Sequence, residues 1–247
     1  RTHAEAVMAH VKEKFQPRQI VVFGRNDAQE RRLMDYYLQA HYTLEGSTMA
    51  DSIKMVIIDD ESPSLDNFNF EPYMDEIETT AFIIASSSQS AVYAMLRKID
   101  LVKDNRSVVV YGQPRWKDFT QIGYEIYESL NVHISSELFL NQDDYEIQSF
   151  KEGFYNKYGM PPTDEAFKGY DMVLYFGRML NEFGTGFRHR LDQNAKVGLH
   201  TKFDIQRTVT TPQTGSLEGN ALNGFDQYMN KYLNFLEFSG YQFRKAD

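Results

Sequence analysis

The chain has 247 residues, 42% of them hydrophobic, with 16 Tyr and 18 Phe, which is enough for one large domain or two small lobes. A net charge of -9 excludes a general nucleic-acid binder, which needs a basic footprint. The absence of cysteine excludes disulfides, thiolate catalysis and Cys-ligated zinc, and no apolar run reaches the roughly 18 residues of a membrane span.

Ala4, Val7, Met8, Val11 and Phe15 recur at helical spacing, and Pro17 ends the helix. Ile20–Phe23 is a short continuous apolar run, as expected of a strand covered on both faces. Gly24 to Asp27 forms a turn, and 28–41 is an amphipathic helix. The unit then repeats: strand 54–58, a polar loop to Asn69, strand 81–85, helix 89–101, strand 107–111, helix 117–130 and strand 132–139. Strands alternating with helices predict βαβ units and a parallel sheet, with Val21, Val22, Ile57, Ile83, Ile84, Val109 and Val110 as its buried centre. After Asp144 the pattern changes to two helices, 145–158 and 164–183, with no strand between them. A short turn at 188–191 and two strand-like segments, 202–209 and 232–243, follow. The stretch from Thr210 to Asn220 reads as a candidate for disorder.

Several motifs carry two readings. Met55–Ile58 followed by Asp59, Asp60 and Glu61 resembles a magnesium-binding acid pair, yet no Gly-rich phosphate loop accompanies it, which leaves a solvated loop. Ser86, Ser87 and Ser88 lie between a buried strand and a helix. One serine is expected to cap the helix. The others exceed that need and mark a ligand-binding candidate at the carboxyl edge of a parallel sheet, where a carboxylate or other anion suits a helix N-terminus. Gln113, Arg115 and Trp116 follow the next strand. Trp116 reads either as a hydrophobic staple or, with its two neighbours, as part of the same edge. Arg25 and Asn26, after the first strand, form the third loop there. The six histidines show no metal-ligand spacing and no serine sits in a nucleophile elbow, so no catalytic residue, metal or cofactor is expected.

The segment Phe150-Lys151-Glu152-Gly153-Phe154-Tyr155-Asn156-Lys157-Tyr158-Gly159-Met160-Pro161-Pro162, with Phe167, Gly169, Tyr170 and Asp171 beyond it, resembles the type 1 periplasmic solute-binding family of the leucine/isoleucine/valine-receptor type. The order of the preceding elements is similar too. Tyr111-Gly112 with Trp116, residues 198–203, and Asn230 before the last strand resemble a Bacteroidetes-like branch often fused to LysM modules. The resemblance implies an α/β fold: a parallel-sheet βαβ lobe of a type 1 periplasmic-binding fold, plus an incomplete second lobe. Residues 1–140 would form that α/β lobe, with 200–247 returning to it, and 141–199 would be a helical remnant of the first lobe. The family's complete N-terminal lobe has no counterpart before Arg1, so the chain reads as a piece of a longer protein.

The implied function is non-catalytic: an ABC-transporter receptor-like capture of a small polar or anionic solute in the cleft between lobes, with hinge closure. The implied location is periplasmic or outer-membrane associated, and the implied partner is a membrane permease. The alternative is a ligand-free structural or interaction module of the envelope with a peptidoglycan-associated partner. An enzyme ranks third, since no acid and base pair up. Where amino-acid receptors of this family carry aromatics, this chain has Arg25-Asn26-Asp27 and Ser86–Ser88. The apolar residues of 164–183 spread around much of that helix, which predicts self-association through it or a visible exposed patch.

Overall fold

The computed structural model describes residues 1–45, 53–60, 62, 64–208 and 227–246. The expected disorder candidate between Thr210 and Asn220 lies outside them. The helices are α1 (Thr2–Phe15), α2 (Ala28–Glu45), α3 (Gln89–Val102), α4 (Tyr124–Ser129), α5 (Tyr145–Tyr158) and α6 (Asp164–Phe183). The strands are β1 (Ile20–Arg25), β2 (Ile53–Ile58), β3 (Thr80–Ile84), β4 (Val108–Gly112), β5 (Val132–Ser136), β6 (Lys196–Val197), β7 (Lys202–Phe203), β8 (Ile205–Thr208), β9 (Gln227–Asn230), β10 (Asn234–Ser239) and β11 (Gln242–Lys245). The chain divides into two compact units, Arg1–Ser136 with Phe235–Asp247, and Glu137–Asn234.

In the first unit the sheet order is β11-β10-β5-β4-β3-β1-β2. Strands β2, β1, β3, β4 and β5 run parallel, with Val22 opposite Met55 and Ile83, and Tyr111 opposite His133. The β10–β11 hairpin is antiparallel. Helix α1 forms because Ala4, Val7, Met8 and Val11 make one buried stripe. It stops where Gln16 turns left-handed (φ 45°) and returns its N–H to Lys12 O, with Pro17 next. Val21, Val22, Ile83, Ile84, Val109 and Val110 are buried at the centre of the sheet. Ile57 is not; it is 38% exposed. Strand β2 is the sheet edge, so a residue there lacks the cover that central strands receive from both sides.

The expected helix 117–130 is broken. A tight 3-10 turn occupies Pro114–Asp118 and α4 begins only after Gly123. Burial of the whole Trp116 side chain pulls the backbone into that turn, with Trp116 N bonded to Gln113 O at 3.0 Å and Phe119 N to Trp116 O at 3.1 Å. Strand β5 ends at Ser136 rather than 139. The acid pair builds a loop: Asp60 accepts the N–H groups of Ser62 (2.9 Å) and Asn67 (2.8 Å).

The second unit holds α5, α6, a 3-10 stretch Gly184–Gln193, and the two-stranded pairs β6–β7 and β8–β9. The division at 200 is therefore corrected. Only 235–247 returns to the first unit, because β7 and β8 pack their Phe203 and Ile205 against Tyr175, Met179 and Leu191 of the second. Asp144 caps α5 by accepting Glu146 N at 2.8 Å. Asp171 on α6 is buried and accepts N–H bonds from Leu199 and His200 (2.9 Å each) and the His200 ring Nδ1. Burial alone would raise its pKa. The His200 ring and the two backbone donors outweigh that and hold it below the usual carboxylate range. Gly198 is required there, since a Cβ would stand 2.5 Å from an Asp171 oxygen. The other side of α6 is open: Tyr170, Val173, Phe176 and Leu180 are 44%, 77%, 37% and 51% exposed.

Candidate functional site

Strands β4, β3 and β1 are neighbours in the sheet, so the loops after them share its carboxyl edge. Seven of the eight sequence-selected residues lie on these three connections, and Arg25 is the last residue of β1. The structure separates them into two groups.

The first group is committed to internal bonds. Asp27 caps α2, its Oδ1 accepting Gln29 N (2.9 Å) and Glu30 N (3.1 Å). This start aims Glu30 back at β1. Buried Glu30 accepts Arg25 N (2.7 Å), Arg25 Nε (3.0 Å), Arg25 Nη2 (2.5 Å) and Ser86 Oγ (2.8 Å). The hydrogen bond to Glu30 raises the Arg25 pKa further, so this cation stays charged at every working pH. Ser86 carries a second load: its carbonyl accepts the Trp116 indole N–H at 3.0 Å. The Trp116 ring is wholly buried and lies so close to Gly112 that any Cβ there would fall 2.2 Å from it. Gln113 is buried as well, donating to Tyr37 Oη at 3.1 Å and Ile84 O at 3.4 Å. Burial raises the Tyr37 pKa to about 12, so it stays a neutral phenol. The Trp116 indole N–H, the Ser86 hydroxyl and carbonyl and the Gln113 amide N–H are thus committed to internal bonds.

The second group faces outward. Ser87 and Ser88 are half-buried, and Asn26 and Arg115 are exposed. Ser88 is the N-cap residue of α3, but its hydroxyl does not cap the helix; it pairs with Ser90 Oγ at 3.2 Å. The expected serine cap is therefore absent, because Ser88 Oγ is turned along the surface, and the first N–H groups of α3 keep their donor capacity. Among the described residues, Arg115 has no ion-pair partner. Asn26 Oδ1 accepts from Arg31. The edge can therefore offer helix amides, the Ser87 hydroxyl and one guanidinium to an oxygen-rich ligand.

Glu30 and Tyr37, which organise the site from behind, were not anticipated. Asp27-x-x-Glu30 has the spacing of a capping box, which is a readable signal; Tyr37 has none beyond its helical phase.

No family model matches the chain, and no curated protein sequence matches it. Solved structures do. An ABC transporter substrate-binding protein from Desulfitobacterium hafniense aligns with TM-score 0.59 at 16% identity, over 99% of this chain and 64% of that one. The structure of such a protein from the same organism in complex with Leu gives 0.54 and 16%, over 98% and 64%. Full-length LpoA from Haemophilus influenzae gives 0.58 and 12%, over 99% and 39%. The fold is the type 1 periplasmic-binding fold. The chain spans less than two thirds of these proteins' own length, with one α/β lobe and an incomplete second lobe. Within this fold the Arg25, Ser87 and Arg115 loops occupy the carboxyl edge of the lobe's parallel sheet.

Proposed function

We propose that the chain is a non-catalytic binding module that takes a small polar or anionic solute at the carboxyl edge of the first unit's sheet. The observation that carries this is the α3 N-terminus. Among the described residues it has no side-chain cap and Arg115 has no ion-pair partner; the helix start sits beside Ser87 and one loop from Arg115. Helix amides and a guanidinium both favour an oxygen anion. The protein's overall negative charge opposes anion approach, but salt screens charges more than about 10 Å away, so the groups at the edge decide. Likeness to ABC transporter substrate-binding proteins supports the same class and an extracytoplasmic location, periplasmic or outer-membrane associated, with a permease as partner. Leucine, bound by one neighbour, is a first solute to test.

A second reading has a specific observation behind it. Ser86, Gln113 and Trp116 are all spent on internal bonds, as in a scaffold that has the fold without a ligand. Such a scaffold would act in the envelope beside a peptidoglycan-associated partner.

Calorimetric titration with leucine, glutamate and acetate decides between them. The solute reading expects binding by at least one, weakened about tenfold in Arg115→Ala and in Ser87→Ala, the loss of one charge-assisted contact. Binding that neither substitution alters places the ligand elsewhere. Silence with all three, repeated in a longer chain carrying a complete second lobe, favours the scaffold.

A further inference from the structure

In the same unit, the 117–123 segment, α4 and the β10–β11 hairpin line an open groove of about 830 Å³. Its walls are aromatic. Tyr124 stacks on Phe238 (5.7 Å, 25°) and meets Tyr241 edge-on (6.4 Å, 70°), while Tyr127 and Phe243 pack behind. Tyr124 and Tyr241 remain 55% and 67% exposed. Exposed rings concentrated in a groove mark a binding surface rather than scattered surface residues.

The hairpin holds its tyrosine at a cost. Register pairs Ser239 with Gln242, leaving Gly240 and Tyr241 as a two-residue turn. Both have positive φ, 57° and 66°, the pattern of a type I′ turn, in which the second position is ordinarily glycine. A bulky side chain in that conformation is a strained outlier, and such strain persists where the surroundings require it. The turn is also fixed to α4, Gly240 N donating to Glu128 Oε1 at 3.3 Å. Strain, anchoring and exposure all act to present the Tyr241 ring.

We infer that this groove binds a glycan, stacking an all-equatorial, β-linked pyranose unit on the Tyr241 ring, with Tyr124 as the wall that meets it at a steep angle. The C–H bonds on the flat face of such a sugar carry slight positive charge and meet the negative ring face. Its hydroxyls need planar acceptors and donors at the rim. Asp118, Gln121 and Glu125 line the groove and are exposed, and among the described residues their side chains carry no hydrogen bond to the unit. The groove shares the Pro114–Asp118 turn with Arg115, but none of the eight edge residues lines it, and it does not depend on the reading given above.

The test is nitrogen-15 NMR titration of the whole 247-residue chain with chitotetraose and with cellotetraose. A proline decapeptide and tetramethylammonium serve as competing probes. Shifts should gather in 117–127 and 238–243 with at least one oligosaccharide. Tyr241→Ala should weaken binding about tenfold, the worth of one stacked ring, and Tyr124→Ala by less, while Tyr241→Phe stays within about twofold. Tyr241→Gly should raise Tm by relieving the turn, yet lose the sugar, so the loss is not a folding defect. The proposal fails if neither oligosaccharide moves these resonances, if only the peptide or the ammonium does, or if Tyr241→Gly binds as wild type.

Discussion

His10 Nδ1 and the Tyr111 hydroxyl share a hydrogen bond of 2.6 Å that ties α1 to β4 beneath the sheet's cover. The imidazole is also stacked on Phe235 at 3.9 Å and lies 6.0 Å from the ring of buried His133. Lys14 and Glu237, 3.0 Å apart, complete the charged surroundings. Burial first, then His133 and Lys14, push the His10 pKa down to about 4, against the partial counterweight of Glu237. His133 is shifted down too, again chiefly by burial.

The sign follows from those directions. Both rings stay neutral in the folded chain below the ordinary histidine pKa of about 6.5, while the unfolded chain takes up protons. Stability from these groups is therefore full above about pH 6.5 and declines as pH falls toward 4. Tm should drop across that window by roughly 2–4 °C for each kcal/mol lost. His10→Gln, which can still bond Tyr111, should flatten the decline. An unchanged slope in this variant would assign the acid sensitivity to His133 or to carboxylates instead.

Gly112 and Trp116 should be coupled. Gly112→Ala places a methyl inside the Trp116 ring envelope and should cost roughly 1–3 kcal/mol in urea unfolding, as overpacking does. Trp116→Ala should cost roughly 3–5 kcal/mol through the cavity it leaves. The double variant should be clearly less destabilised than the sum. Strict additivity would contradict the contact.

Glu30 is the hub behind the candidate site, and its removal strands the donors of Arg25 and Ser86. Glu30→Ala should cost roughly 1–3 kcal/mol, the penalty of leaving buried donors unsatisfied. Ser86→Ala should cost less in that background than in the wild type, and a double-mutant cycle by chemical denaturation measures the difference.

Helix α6 carries Tyr170, Val173, Phe176 and Leu180 on an exposed face. The 247-residue chain should self-associate through it in sedimentation velocity. Val173→Glu with Leu180→Lys should shift the distribution toward monomer without lowering Tm, since neither side chain supports the second unit's core. Unaltered association in the double variant would locate the contact elsewhere.

Periodicity alone carried the α/β alternation, the helices α1, α3, α5 and α6, and the central strands, because burial on both faces writes a continuous apolar run that needs no knowledge of neighbours. The order of short residues at strand ends was similarly readable, and it placed all eight candidate residues at the ends of three strands along one sheet edge. What sequence could not decide was how each side chain is used. Ile57 has the same character as Ile83, yet one sits at the sheet edge and the other at its centre. Ser86 and Ser87 are adjacent, yet the first is buried against Glu30 and the second is only half-buried. Trp116, Gln113 and Glu30 found their roles only when loops distant in sequence met at hydrogen-bond distance. Strand order and long-range contact, which no local pattern encodes, therefore chose which residues hold the edge together and which face a ligand.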